Sequence, residues 1–220
     1  NAAAPMPRPN DGDIAMSETA MKIPQAMRPR GLSGRIFASL MERMNRSAYE
    51  RAASLLALGP DARFLELGFG TGRLLEMVAA AGRERTLAGI DPSSLMVATA
   101  GRRLRALGVT HELSEGSADN LPWPTAAFDA AAALHCFQFW PDPLQVFAEL
   151  RRVLRDEGRL VLILRDHSDA RDREWLPNPW SRGANEPGEA MRLLERAGFA
   201  AMRDMPDAGS SAVILAVKKG

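Results

Sequence analysis

The chain has a single cysteine, Cys136, and almost no net charge: 28 basic against 27 acidic residues leave +1. One thiol excludes an internal disulfide, and with it the stapled framework of a small secreted domain. The balanced charge argues against a dedicated nucleic-acid binder, whose surface carries a strong basic excess. No apolar run approaches the roughly 20 residues that span a bilayer. Asn1 to Asp13 are rich in Ala, Pro, Asn and Asp and lack the apolar centre of a signal peptide. Residues 1–16 are therefore expected to be a disordered tail, and the cytoplasm is the expected location. What remains is ordinary globular composition, 46% apolar and 25% charged, over 220 residues. That is enough for one α/β domain with a full core.

Residues 17–58 read as an N-terminal helical cap and 59–220 as the main domain. In the cap, Ile36, Leu40 and Met44 recur every four residues, as do Phe37 and Met41, giving one apolar side. A second helical run from Tyr49 to Leu58 meets Gly59-Pro60, a stop signal. Beyond it the pattern alternates. Strands are expected at Arg63–Leu67, Thr86–Ile90, Val109–Leu113, Phe128–Leu134 and Arg159–Leu164. Helices are expected at Gly72–Ala81, Ser93–Leu107 and Pro143–Arg155. This alternation implies a parallel sheet with right-handed crossovers. After a helix over Glu186–Ala197, the strands Phe199–Met205 and Ser211–Lys218 stand about five residues apart. That is too close for a parallel crossover, so they should form an antiparallel hairpin.

The first strand runs into Leu65-Glu66-Leu67-Gly68-Phe69-Gly70-Thr71-Gly72. A sharp turn and a close ligand approach both favour glycine, and the following helix start offers N–H groups to polar ligand atoms. Asp91, about 20 residues on at the next strand end, is placed to accept from a ribose diol. The nicotinamide fingerprint needs a third Gly or Ala where Arg73 stands, and Gly72 comes one residue early. A carboxylate at Glu66 suits an ammonium group and repels a pyrophosphate. Both features favour S-adenosylmethionine over a dinucleotide.

These residues resemble the class I S-adenosylmethionine-dependent methyltransferases, in particular the group containing the ubiquinone/menaquinone-biosynthesis methyltransferases. The likeness runs from about Ala53 to Lys218. The glycine-rich turn looks like the family's first motif and Gly89-Ile90-Asp91-Pro92-Ser93 its second. Gly116-Ser117-Ala118-Asp119-Asn120-Leu121-Pro122-Trp123, followed by Phe128-Asp129, looks like its third. Leu150 to Leu154 with Gly158 to Leu162 resembles the entry to the fifth strand, and Glu195 to Phe199 the entry to the hairpin. The resemblance implies a Rossmann-like, doubly wound α/β sheet of seven strands, six parallel and one antiparallel. It implies that Glu66, Gly68, Gly70 and Gly72 flank the methionine part of the cofactor and that Asp91 holds the ribose. Pro92 and Met96 would lie against the adenine. Asp119 would accept from the adenine amino group, with the Ala118 and Asn120 backbone nearby. Leu134 and His135 would border cofactor and substrate. Two departures stand out: Asp156-Glu157-Gly158 replaces Pro-Gly-Gly before the fifth strand, and Phe69 is bulkier than usual.

Methyl transfer mainly requires two reactants held in line, and a base only where the acceptor has a proton to lose. His135, at a strand end beside the cofactor, is the first candidate base, and His167 in Arg165-Asp166-His167 the second. His111 reads as structural. His135, Cys136 and His167 lack a structural zinc spacing, so no metal is expected; Cys136 reads as a small buried hydrophobe. Trp175 and Trp180 fall in a long insert suited to a lid, which with the cap would favour an apolar or aromatic small-molecule acceptor. Arg102, Arg103 and Arg105, like Arg151, Arg152 and Arg155, read as solvated faces. The expected function is methylation of a small molecule on O, N or C, yielding S-adenosylhomocysteine. The alternatives are a non-enzymatic S-adenosylmethionine-binding partner protein and an NAD-dependent oxidoreductase.

Overall fold

The computed structural model describes residues 42–43, 45–165, 185–204 and 211–220. Within them the elements are α1 (Arg46–Leu56), β1 (Arg63–Leu67), α2 (Arg73–Ala81), β2 (Thr86–Asp91), α3 (Ser94–Leu107) and β3 (His111–Glu115). Then come β4 (Phe128–Leu134), a 3-10 turn (Phe137–Phe139), α4 (Pro143–Val153), β5 (Leu154–Arg165), α5 (Glu186–Arg196), β6 (Phe199–Asp204) and β7 (Ser211–Lys218). The seven strands form one sheet in the order β3-β2-β1-β4-β5-β7-β6. β1, β2, β3, β4 and β5 pair in parallel, and β7 runs antiparallel to both β5 and β6. Six strands thus share one direction and β7 opposes them, as the short spacing before Ser211 requires.

Strand alternation sorts the core into two layers. Phe64, Leu87, Ala130, Ala132, Val161 and Ile163 face α1, α2 and α3, where Ala52, Leu75, Val78 and Leu104 meet them. Leu65, Leu67, Ala88, Ala131, Leu160 and Leu162 face α4 and α5, against Phe147, Leu150 and Leu194. β4 lies at the centre, and Ala130 to Ala133 are at most 1% exposed. Their methyl groups let helices approach both faces, which suits a strand covered twice.

Several boundaries differ from the periodicity. α1 starts three residues before Tyr49 and stops at Leu56, because Ala57 turns left-handed (φ 46) before Gly59-Pro60 is reached. β3 starts at His111, two residues late: Val109 is already buried among the helix-facing core, and its carbonyl meets His111 Nδ1. α4 ends at Val153 and not Arg155, because Leu154 is drawn into the sheet opposite Phe128. The Asp156-Glu157-Gly158 turn then loops out within β5 as a register shift, with Glu157 at φ 61.

Candidate cofactor site

The order of the strands reverses direction between β1 and β4. Crevices form at such points, beyond the carboxyl ends of the strands. The turn after β1 and the turn after β4 meet there. A Cβ added at Gly68 would lie 3.1 Å from the Cys136 Cβ, so glycine is what permits the approach.

The glycine-rich turn is built on left-handed backbone. Gly68, Gly70 and Gly72 have φ of 63°, 52° and 76°. Gly72 caps α2, and an added Cβ would sit 2.6 Å from the Ala100 Cβ and 3.2 Å from its Cα, so α3 closes on this position. At Gly70 the same Cβ meets nothing within 4 Å. Gly72→Ala is therefore expected to cost roughly 2–5 kcal/mol of stability, adding left-handed strain to overpacking. Gly70→Ala should cost only the strain, about 1–2 kcal/mol. Urea unfolding of both variants checks the ranking. Phe69, between them, turns inward: it is 2% exposed and would lie 2.5 Å from a Cβ at Gly89. Its bulk fills the space that glycine leaves on β2.

Two carboxyls converge on this turn. Asp91, 5% exposed at the end of β2, accepts from the Gly70 N–H (2.9 Å, Oδ2) and the Ser93 N–H (2.9 Å, Oδ1). It thereby ties the turn to the second strand. Glu66, 1% exposed on β1, has an Oε2 with no hydrogen-bond partner. Burial, and then the neighbouring Asp91, push its carboxyl well above the ordinary glutamate range, while the Leu75 backbone N–H opposes the shift. A buried acceptor without a donor is costly, and an ammonium group would satisfy it. The set of acceptors thus fits a ligand carrying both an ammonium and a ribose.

The remaining expected residues lie on neighbouring elements. Pro92 is half-buried at the approach to α3, and Met96 lies within the helix-facing apolar layer. Ala118, Asp119 and Asn120 occupy the loop after β3, with the Asp119 carbonyl accepting from Gln145 Nε2 (3.2 Å). Leu134 ends β4. His135 follows in a left-handed conformation (φ 52), its N–H held by the Ile163 carbonyl at 2.8 Å. Left-handed backbone is uncommon outside glycine and marks a turn held by its surroundings. Cys136 is half-buried, not fully buried as its type suggested, and its thiol lies 3.6 Å from the Leu67 carbonyl. Burial, Glu66 and Asp91 push that thiol upward, away from the reactive thiolate. His167, Trp175 and Trp180, with residues 33–41 and Met44 of the cap, lie outside the described residues. Among the described residues no three His, Cys, Asp or Glu side chains cluster as metal ligands.

Residues that the sequence did not single out complete the arrangement. Thr71 Oγ1 donates to Glu42 Oε2 at 2.7 Å. Arg103 bonds both Glu42 oxygens, at 3.3 and 3.2 Å, and lies 3.5 Å from Glu76, which Arg73 holds at 2.7 Å. Arg103 is thus linked to the glycine-rich turn through Glu42 and is not a solvated charge. Tyr49 on α1 has its phenol pushed up by burial and then by the charges of Glu66 and Glu42. Apart from Arg73–Glu76, these contacts pair residues far apart in the chain, and no spacing rule announces them.

Residues 65–162 match the family described as "Methyltransferase domain". The chain is 33% identical to the demethylmenaquinone methyltransferase of Thermotoga maritima over 109 residues, half of this chain and 45% of the relative. It is 32% identical to the phosphatidylethanolamine N-methyltransferase of Cereibacter sphaeroides over 103 residues, 46% of this chain and 49% of the relative. It therefore spans about half the length of these curated relatives. A solved structure of a SAM-dependent methyltransferase from Aquifex aeolicus superposes with a TM-score of 0.67 at 21% identity, covering 82% of this chain and 97% of the other, and shares the fold. Residues 65–162 are thus a methyltransferase domain, and the sheet around them has the class I methyltransferase fold.

Proposed function

We propose that this chain transfers the methyl group of S-adenosylmethionine to a small, apolar or aromatic molecule. The observation that carries the reading is the unpartnered Glu66 oxygen, buried where the glycine-rich turn meets Asp91. When bound, S-adenosylmethionine supplies a sulfonium methyl, whose bond to sulfur breaks with both electrons as the acceptor's bond to carbon forms. Glu66 would hold the ammonium and Asp91 the ribose hydroxyls. Pro92 and Met96 would line the adenine, with Asp119 accepting from its amino group beside the Ala118 and Asn120 backbone. Leu134 and His135 would border the acceptor. For an acceptor that loses a proton, His135 would take it.

Two further points support the reading. Demethylmenaquinone and phosphatidylethanolamine, named in the relatives, both carry long hydrocarbon portions. The described residues of the expected cap agree with it: Glu42 bonds Thr71, and the Tyr49 phenol feels the Glu66 charge. Among the described residues no helix is long and apolar enough to cross a membrane.

Calorimetric titration with S-adenosylhomocysteine, with NAD in parallel, tests the cofactor. Saturable one-site binding of the first and none of the second is expected. Binding of NAD alone overturns the reading in favour of a dehydrogenase. Tight binding of S-adenosylhomocysteine without turnover of any acceptor in a broad panel favours a non-enzymatic binding protein.

A further inference from the structure

The loop from Gly116 to Ala127 joins β3 to β4 and contains neither strand nor helix, yet it carries Asp119. A loop of this length needs an external frame to hold one side chain at one place. That frame is a single stripe on α4. Gln145, Glu149 and Arg152, at spacings of four and three, share one helix face. Asp142 caps the helix start, its Oδ1 accepting from the Leu144 and Gln145 N–H groups at 3.1 and 3.2 Å.

Each member of the stripe grips the loop backbone. Gln145 Nε2 donates to the Asp119 carbonyl at 3.2 Å. Glu149 Oε2 accepts from the Leu121 N–H at 2.8 Å. Arg152 donates to the Leu121 carbonyl at 3.0 Å and to the Trp123 carbonyl at 2.7 Å. Glu149 and Arg152 also join each other through two bonds, of 2.8 and 2.7 Å. The paired geometry fixes both side chains at once, as a forked guanidinium on a carboxylate does. Leu121 and Trp123, which flank the gripped groups, are buried, and Trp123 meets Phe128 edge-on. The loop is thus anchored two residues beyond Asp119, and by Gln145 at Asp119 itself.

We infer that Glu149 and Arg152 are positioning residues that set the cofactor's base selectivity by holding Asp119 at the adenine edge. This rests on the reading of the site as an S-adenosylmethionine site. The two side chains touch only loop backbone and each other in the contacts described, so they act through Asp119. A clamp that merely stabilised the fold would weaken every ligand alike. A clamp that aims Asp119 affects the ligand's amino group selectively, because a carboxylate accepts from the adenine amino and repels the carbonyl that replaces it in hypoxanthine.

The test titrates the full chain with S-adenosylhomocysteine and with S-inosylhomocysteine, its hypoxanthine counterpart. The wild type should prefer the adenine form. In Arg152→Lys and Glu149→Gln the preference should fall about tenfold, mostly through weaker adenine binding. Gln145→Ala removes one exposed bond and leaves the paired clamp intact, so it should fold normally and lose the preference about twofold to threefold. Full retention of the wild-type preference in the three variants overturns the inference, whatever the absolute affinities. A wild type that binds neither ligand overturns the cofactor reading beneath it and this inference with it. A wild type that discriminates, with variants that discriminate equally, overturns the clamp alone.

Discussion

Asp91→Ala is expected to bind S-adenosylhomocysteine roughly 5- to 150-fold more weakly than the wild type, about 1–3 kcal/mol. The carboxylate is almost fully buried and both its oxygens are oriented by backbone N–H groups, from Gly70 and Ser93. Its position is therefore set before any ligand arrives, and little ordering is needed on binding. Without it, two ribose hydroxyls would enter a site lacking their acceptor. The substitution also strips the Gly70 and Ser93 N–H groups of their partner, so part of the loss comes through a loosened turn. Asp91→Asn separates the two effects. The amide oxygen still accepts from one N–H, and the charge is gone, so its affinity should fall between the other two. Calorimetric titration gives the affinities, and urea unfolding of the ligand-free proteins gives the cost to the turn. Wild-type affinity in Asp91→Ala would remove this residue from the site.

The parts of this architecture that were legible in the sequence are those written locally. β1, β4 and β7 lie where their apolar runs put them, at Arg63–Leu67, Phe128–Leu134 and Ser211–Lys218. Each run is bounded by turn residues and buried against helices, so periodicity and burial agree. The glycine-rich turn and Asp91 were legible for the same reason: a tight turn and its neighbouring strand end are one crossover apart. Val109 shows where this fails. It is apolar and buried, but its burial comes from packing on the helix layer before the β3 ladder begins. Arg103 and Arg152 fail differently. On a helix surface, an arginine within three residues of another reads as a solvated charge. Arg103 reaches Glu42, 61 residues away, and Arg152 reaches the carbonyls of Leu121 and Trp123. A backbone carbonyl leaves no mark in the sequence, so neither role has a local signature. His135 was legible as a strand-end residue, but its left-handed backbone was not, because nothing in Leu134-His135-Cys136 demands it.

Below the raised folded value of Glu66, ligand binding is expected to release close to one proton from it, and Glu66→Gln to abolish that release. In the ligand-free protein, burial and then Asp91 favour the neutral carboxyl. The folded value is thus raised above the ordinary 4.5. Stability from this group is fully present below 4.5 and is lost as pH rises through the folded value. Over that window the ligand-free wild type should lose stability relative to Glu66→Gln, whose amide has nothing to ionise. An ammonium beside Glu66 reverses the preference, since an opposite charge favours the ionised form. Binding then expels the proton, and within the window the wild-type affinity should rise about tenfold per pH unit. Tyr49 and Cys136 are both pushed up, away from this window, so neither supplies the proton. A His135→Ala control separates the imidazole. Titrations in two buffers of different ionisation enthalpy count the protons released. Equal release in wild type and Glu66→Gln would place the ammonium elsewhere in the crevice, and a pH-independent wild-type affinity would mean that Glu66 keeps its proton with the ligand bound. Loss of the pH slope in Glu66→Gln, with adenine selectivity retained, would assign the two ends of the ligand to separate devices: a titrating carboxyl at the glycine-rich turn and a clamped loop at the base.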